Sequence, residues 1–421
     1  MIWKNIRIVN GSGAIGEPIG IAIRQDQITA IGANLQPESE AEPVFDYSGA
    51  SIMPGWFDLG CAHGDPGHER REDLRSLCEA ALAGGFTAIA PLPNTDPPVH
   101  DKAQVQYLRS QTRRLPLSVW PIGAISRDCA GKDLAELYDM RQAGARAFSD
   151  GDRPIQNAGL LLRALLYVRA FDGLLIESPH HRALAAGGLM HEGPLSVLMG
   201  VRGIPDIAET VPVERNLRLL EYSGGRLLIH LVSCAESVRL IREAKARGLR
   251  VSASVAIANL CFTDERLATF DSQWKLNPPL RSEADRQALI EGVLDGTIDI
   301  VCSNHAPWYE EAKNLEFAYA EFGMSALETF AACYAQHLAP HIPLPVWTER
   351  VALAPRRLLG LPAPRVEVGA RADFTVFLPK ERYALHGASL RSKGQNSPLL
   401  DAPLTGKAIA LASRAPEAAE E

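Results

Sequence analysis

The residues best equipped for chemistry gather at six points where an apolar run gives way to polar or glycine-bearing sequence. They are Asp58 to Asp65, Pro93-Asn94-Thr95, Ser149-Asp150-Gly151-Asp152, Glu177-Ser178-Pro179-His180-His181, His230 to Ser233, and Ser303-Asn304-His305-Ala306-Pro307-Trp308. Carboxylates, imidazoles and amides at such points are the vocabulary of a metal-dependent amide hydrolase, with the ligands out of place. A strand grips an ion with residues at i and i+2, because alternate side chains share a direction. After the run Ser51-Ile52-Met53-Pro54-Gly55-Trp56, one parity carries Gly60 and Ala62 and the other Cys61 and His63. This segment is either a shifted metal site on Cys61 and His63, with Asp150 as the carboxylate, or a site emptied of donors.

Such points need a scaffold that collects strand ends on one side. Candidate strands run from Ser51 to Leu59, Thr87 to Leu92, Leu117 to Gly123, Ala145 to Ser149, Leu174 to Glu177, Arg226 to Val232, Arg250 to Val255 and Asp299 to Ser303. Most lead into a helical segment, as at Glu72 to Ala83 and Ala235 to Arg247. Eight such units predict a (β/α)8 barrel, an α/β fold whose chemistry sits at the C-terminal ends of its strands. A doubly wound sheet is the alternative, but no G-x-G-x-x-G follows the first strand, so dinucleotide binding has no support. Alternating stretches at Ile6 to Val9, Gly20 to Ile23 and Gln27 to Gly32 read as strands, and so do Ala372 to Phe377 and Lys407 to Leu411. We therefore expect one composite β-sandwich from residues 1–50 and 361–421, flanking a barrel over 51–360, with Pro416 to Glu421 frayed.

Composition narrows the function. The 421 residues are 46% hydrophobic, enough for a large core, and carry a net charge of −7. No dense basic block points to nucleic acid, and no signal-type or membrane-length apolar run is present, so we expect a soluble cytoplasmic protein. Seven scattered cysteines without a CxxC suit reduced, buried thiols.

A family resemblance covers nearly the whole chain. Pro91-Leu92-Pro93-Asn94-Thr95-Asp96-Pro97-Pro98, Leu184-Ala185-Ala186-Gly187-Gly188-Leu189-Met190-His191-Glu192-Gly193, Gly203-Ile204-Pro205, Lys275-Leu276-Asn277-Pro278-Pro279-Leu280-Arg281, His305-Ala306-Pro307 and Ser392-Lys393-Gly394-Gln395-Asn396-Ser397-Pro398 together resemble the long bacterial dihydroorotases of the amidohydrolase superfamily. The resemblance implies a barrel with a composite sandwich, and an enzyme that closes dihydroorotate from carbamoyl aspartate with metal ions and an aspartate acid/base. It also implies which positions should carry the work. The family's His-x-His pair falls on Gly60 and Ala62, its substrate-binding arginine on Gly64, and later ligand histidines on Ser178 and Leu231. Its acid/base aspartate falls on Asn304, while the carboxylate after strand four survives as Asp150 or Asp152. Asn94, Asn277 and His305 keep their family positions.

Glycine, alanine and leucine side chains offer zinc no donor, serine is a poor ligand, and an amide has no carboxylate to accept a proton. The expectation drawn from these losses is a non-catalytic, cofactor-free homologue. The resemblance implies a structural role in a homo- or hetero-oligomer with the catalytic chain of aspartate transcarbamoylase in pyrimidine biosynthesis. The rival expectation is an active zinc-dependent cyclic amidohydrolase with a displaced site, and a third is a sensor holding its ligand on Asn94 and Asn277. Parity sends His230 into the barrel wall if Leu231 points inward, so a packed histidine is expected there. His180 and His181 read as a solvated loop pair, Asp58 as a capping or supporting carboxylate, and Met190 and Trp308 as filling.

Overall fold

The computed structural model describes residues 1–11 and 15–412; the tail from Pro416 to Glu421 lies outside the described residues. Eight strand positions follow one another around a curled parallel sheet. They are Trp56–Leu59, Phe86–Ala90, Ser118–Val119 continued by Ile122–Gly123, Ala147–Phe148, Leu175–Glu177, Leu227–Ile229, Val251–Ala256 and Ile300–Cys302. The eighth meets the first where Asp58 accepts hydrogen bonds from Ser303 N at 2.6 Å and Ser303 Oγ at 2.7 Å, and where Ala62 N donates to His305 O at 2.8 Å. The result is the expected (β/α)8 barrel. No helix among the described residues is long and apolar enough to cross a membrane.

Strand alternation sorts the core into two shells. Phe57, Leu59, Ile122, Ala147, Ile176 and Leu228 fill the barrel interior. Trp56, Phe148, Leu175, Leu227 and Ile229 point the other way, into the layer shared with the helices. The helices start on side-chain caps: Asp73 accepts from Ser76 N at the head of Leu74–Ala83, and Ser282 from Asp285 N at the head of Glu283–Asp295.

The expected terminal strands join as one seven-stranded sheet. Ile2–Ile8, Ile19–Arg24, Gln27–Gly32, Val44–Asp46 and Ser51–Pro54 form it with Asp373–Ala384 and Pro403–Ala412 from the far end of the chain. The single strand expected from Ser51 to Leu59 is two: Ser51–Pro54 belongs to this sheet and Trp56–Leu59 to the barrel. Gly55 makes the crossing, in a place where a Cβ would collide with Thr87 and Asp373. Thr375 ties the two parts, accepting from Trp56 N at 2.9 Å and donating to Gly85 O at 2.7 Å.

Candidate functional site

All six polar strand ends converge on one cavity of about 300 Å³ at the C-terminal mouth of the barrel. That volume suits a small ring compound. The first strand end contributes Gly60, Ala62 and His63, the second Asn94, the fourth Asp152, the fifth Ser178 and His180, the sixth His230 and Leu231, and the eighth Asn304 and His305. Intervening loops add Asn277, Arg281, Trp308 and Glu321.

Two buried imidazoles face this space without full partners. His63 has neither ring nitrogen hydrogen-bonded, and His230 keeps only a 2.7 Å bond between Nδ1 and Ser254 Oγ, with Nε2 unpaired. Burial pushes both down to about 4, so both are neutral at pH 7. His230 was expected in the barrel wall; it points inward instead, sharing the parity of Leu228. Leu231 also lines the cavity, because its φ of 64° turns the chain and resets the alternation just after the strand. The imidazole of His230 occupies the room that a side chain at position 60 would need, so Gly60, with a φ of 93°, is sterically required there. Position 64 is equally closed, since a Cβ on Gly64 would run into the backbone of His68.

The carboxylates are engaged elsewhere. Asp150 accepts from Ile125 N at 2.9 Å, from Ser126 N at 2.8 Å and from Ser126 Oγ. Burial lifts Asp150 to about 6, and lifts the adjoining Glu177 to about 8 with help from the Asp150 charge, so Glu177 holds a proton at neutral pH. Glu209 accepts from Ser233 and from Arg281, whose guanidinium also pairs with Asp206. Cys61 packs in the shell between strands and helices, where burial raises its thiol and keeps it protonated. His63, Cys61 and Asp150 therefore face three different surroundings. Among the described residues no group of three His, Cys, Asp or Glu side chains is arranged to hold a metal ion. The residues present do not fit the zinc site that the resemblance implies.

Asn94 is spent on the loop beside it, its amide donating to Asp150 O at 2.9 Å and accepting from Asp152 N at 3.1 Å. Asn304 donates to Asn277 O at 3.1 Å, while the side-chain amide of Asn277 stays exposed at the cavity rim. His181 caps Arg182–Ala185, and half-buried His180 turns to the cavity. Met190 is core filling as expected.

Sequence reasoning missed three features. Glu72, fully buried, bonds Ser76, Ser392, Lys393 N and His305 Nε2, the last at 3.4 Å. Arg71 lines the cavity with its guanidinium 4.0 Å above the Trp308 ring. Lys275 and Lys313 bury their ammonium groups among backbone carbonyls: Lys275 donates to Phe317 O, Ala318 O and Ala320 O at 2.6–3.0 Å. Lys313 donates to Glu321 O at 2.8 Å and Gly323 O at 3.1 Å. These two staples fix the loop that carries Glu321 and Phe322 to the cavity. The Arg-Arg-Glu-Asp run just ahead of a helix was the available signal for the first two.

A family description, Dihydro-orotase-like, matches residues 49–237. The chain is 39% identical to the dihydroorotase of Pelotomaculum thermopropionicum, covering 95% of this chain and 96% of that one. It is 36% identical to the dihydroorotase of Syntrophus aciditrophicus, covering 97% and 96%. Among solved structures, the L-hydantoinase (dihydropyrimidinase) from Arthrobacter aurescens superposes with a TM-score of 0.83 at 23% identity, over 99% of this chain and 97% of that one. These likenesses correct two expectations. A chain without catalytic activity is not what they support, since relatives of this similarity bear the name of an enzyme. The expected absence of a cofactor falls with it, because that enzyme class depends on zinc. The donor losses at Gly60, Ala62, Ser178, Leu231 and Asn304 stand as facts of the sequence; the inference from them to an inactive, cofactor-free protein does not.

Proposed function

The chain belongs to the dihydroorotase family, and from that premise we propose that its barrel mouth is a cyclic amidohydrolase site of altered construction, taking the ring amide and open carbamoyl acid that dihydroorotases interconvert. One observation carries the reading: His63 and His230, neutral and with buried ring nitrogens that lack a hydrogen-bond partner, line a cavity of about 300 Å³ at the strand ends together with the exposed Asn277. Unpaired buried polar atoms are costly in a folded protein, and two of them on residues lining one cavity call for a role there. No step is routed through a metal, because the donor set does not fit one. The test is interconversion of dihydroorotate and carbamoyl aspartate followed in both directions, with metal content measured on the same preparation and zinc added in parallel. Turnover in either direction supports the reading, and none in any arm overturns it.

A second reading concerns assembly with the aspartate transcarbamoylase catalytic chain, the enzyme that makes carbamoyl aspartate. Its support is the exposure of apolar side chains on neighbouring stretches of the chain: Val197 and Leu198 are 80% and 84% exposed on Pro194–Leu198, with Ile207 and Val211 exposed on Ile207–Ser223. Where such side chains form one contiguous patch they mark an interaction surface. Co-elution of the two proteins, abolished by Leu198→Glu, is the expected result; separate elution at micromolar concentrations sinks it.

A further inference from the structure

Resting on that reading of the cavity, we propose that Arg71 is its carboxylate receptor, a guanidinium held open on the Trp308 ring for the acid group of the ligand. Arg71 is half-buried and lines the cavity. Its Nε donates to Pro307 O at 2.6 Å, and its guanidinium carbon lies 4.0 Å from the centre of the Trp308 ring. Both terminal nitrogens are without a partner among the described residues, and no carboxylate stands within ion-pair distance. Arg281, the other arginine lining the cavity, is in contrast consumed by Asp206, Glu209 and Ser233. An arginine partly withdrawn from water with a free pair of Nη groups is set to receive a planar anion in a bidentate fork.

The surroundings keep that fork in place. The Trp308 backbone N donates to Asn396 Oδ1 at 2.7 Å and its Nε1 to Phe322 O at 2.9 Å. Phe322 in turn lies in the loop stapled by Lys275 and Lys313. The ring is therefore a fixed platform, and the guanidinium on it loses little freedom on binding. Asp152 and Glu321 also line the cavity, Asn277 offers it a neutral amide, and of its two arginines Arg71 is the one not taken up by carboxylates. That pattern selects a small ring amide bearing a carboxylate.

The experiment compares dihydroorotate with dihydrouracil, the same ring without the acid, by calorimetry on the full chain and on Arg71→Met, Arg71→Lys and Trp308→Leu. The wild type should prefer dihydroorotate by about 10- to 100-fold, the range of a charged hydrogen-bonded pair. Arg71→Met should erase that preference by weakening dihydroorotate alone, Arg71→Lys should keep part of it, and Trp308→Leu should reduce it a few-fold. Melting curves confirm that each variant is folded, and Arg71→Lys carries the same comparison if the methionine variant loses its transition. If Arg71→Met leaves dihydroorotate binding unchanged, or weakens both ligands equally, the assignment of Arg71 is overturned while the site reading survives. A wild type that binds neither ligand overturns the site reading and the role of Arg71 together.

Discussion

His63 and His305 stand at the same mouth of one barrel, both buried, in opposite states of engagement. His305 uses its whole surface: Nε2 meets Glu72 at 3.4 Å, Nδ1 accepts from Ala326 N at 3.2 Å, and its backbone bonds Ser303 and Ala62. Through Glu72 it is joined to Ser392 and Lys393, so the C-terminal segment is strapped over the eighth strand end. On the adjoining first strand end His63, and on the sixth the Nε2 of His230, have no hydrogen-bond partner. One imidazole is wired into the framework; the other two keep buried nitrogens that the fold does not satisfy. A wired group is expensive to remove because its partners are orphaned, whereas an unpaired one is cheap to remove and matters to ligands.

The largest expected break of this contrast is Glu72→Ala. It leaves His305, Ser392 and two backbone or hydroxyl donors facing a void, and should cost about 3–5 kcal/mol in urea unfolding. A loss below about 1 kcal/mol would show that the wired framework is not the brace described. Next comes Gly60→Ala, which combines a left-handed φ with a collision against His230 and should cost roughly 2–4 kcal/mol. Repeated in a His230→Ala background, the same change should cost at most half as much; equal costs would mean that His230 is not the obstacle.

The smallest effect at neutral pH, and the sharpest diagnostic, is His63→Leu. Removing two unpaired nitrogens should change stability by less than about 1 kcal/mol at pH 7. Its mark appears in acid. The native imidazole, held down to about 4 against an unfolded value of 6.5, binds fewer protons than the unfolded chain between those limits. Native stability therefore falls as pH drops from 6.5 to about 4, by on the order of 2–3 kcal/mol for this group. His63→Leu should lose that much less on going from pH 7 to pH 4. Glu177, raised to about 8, acts in the opposite sense as pH rises from 4.5 to 8, and is common to both chains. Parallel acid curves for the two proteins would show that His63 is not held neutral.

Much of the scaffold was legible beforehand, because its signals are local. Apolar runs bounded by glycine and polar residues marked all eight barrel strands, and alternation marked the terminal strands; their union in one sheet followed from finding such strands at both ends. The convergence of six strand ends was legible as well, since a closed barrel leaves them nowhere else to meet. Orientation was harder. His230 and Cys61 were read by counting residues, yet the chain turns through φ 93° at Gly60 and φ 64° at Leu231, and each turn restarts the count. Arg71 and Glu72 were passed over because their partners Trp308, His305 and Ser392 lie more than 200 residues away, and no local pattern carries such a contact.

By itself the sequence determined which atoms are available: no donor can exist at Gly60 or Ala62, and no carboxylate at Asn304, whatever the fold. Tertiary structure alone decided which of the remaining atoms are free. Hydrogen bonds across the closed barrel consume Asp150, Glu209, Asn94 and His305. The same closure buries ring nitrogens of His63 and His230 without partners and leaves the terminal nitrogens of Arg71 unpaired beside the cavity. Composition is a property of each residue, but hydrogen-bonding capacity left over after folding is a property of every residue around it.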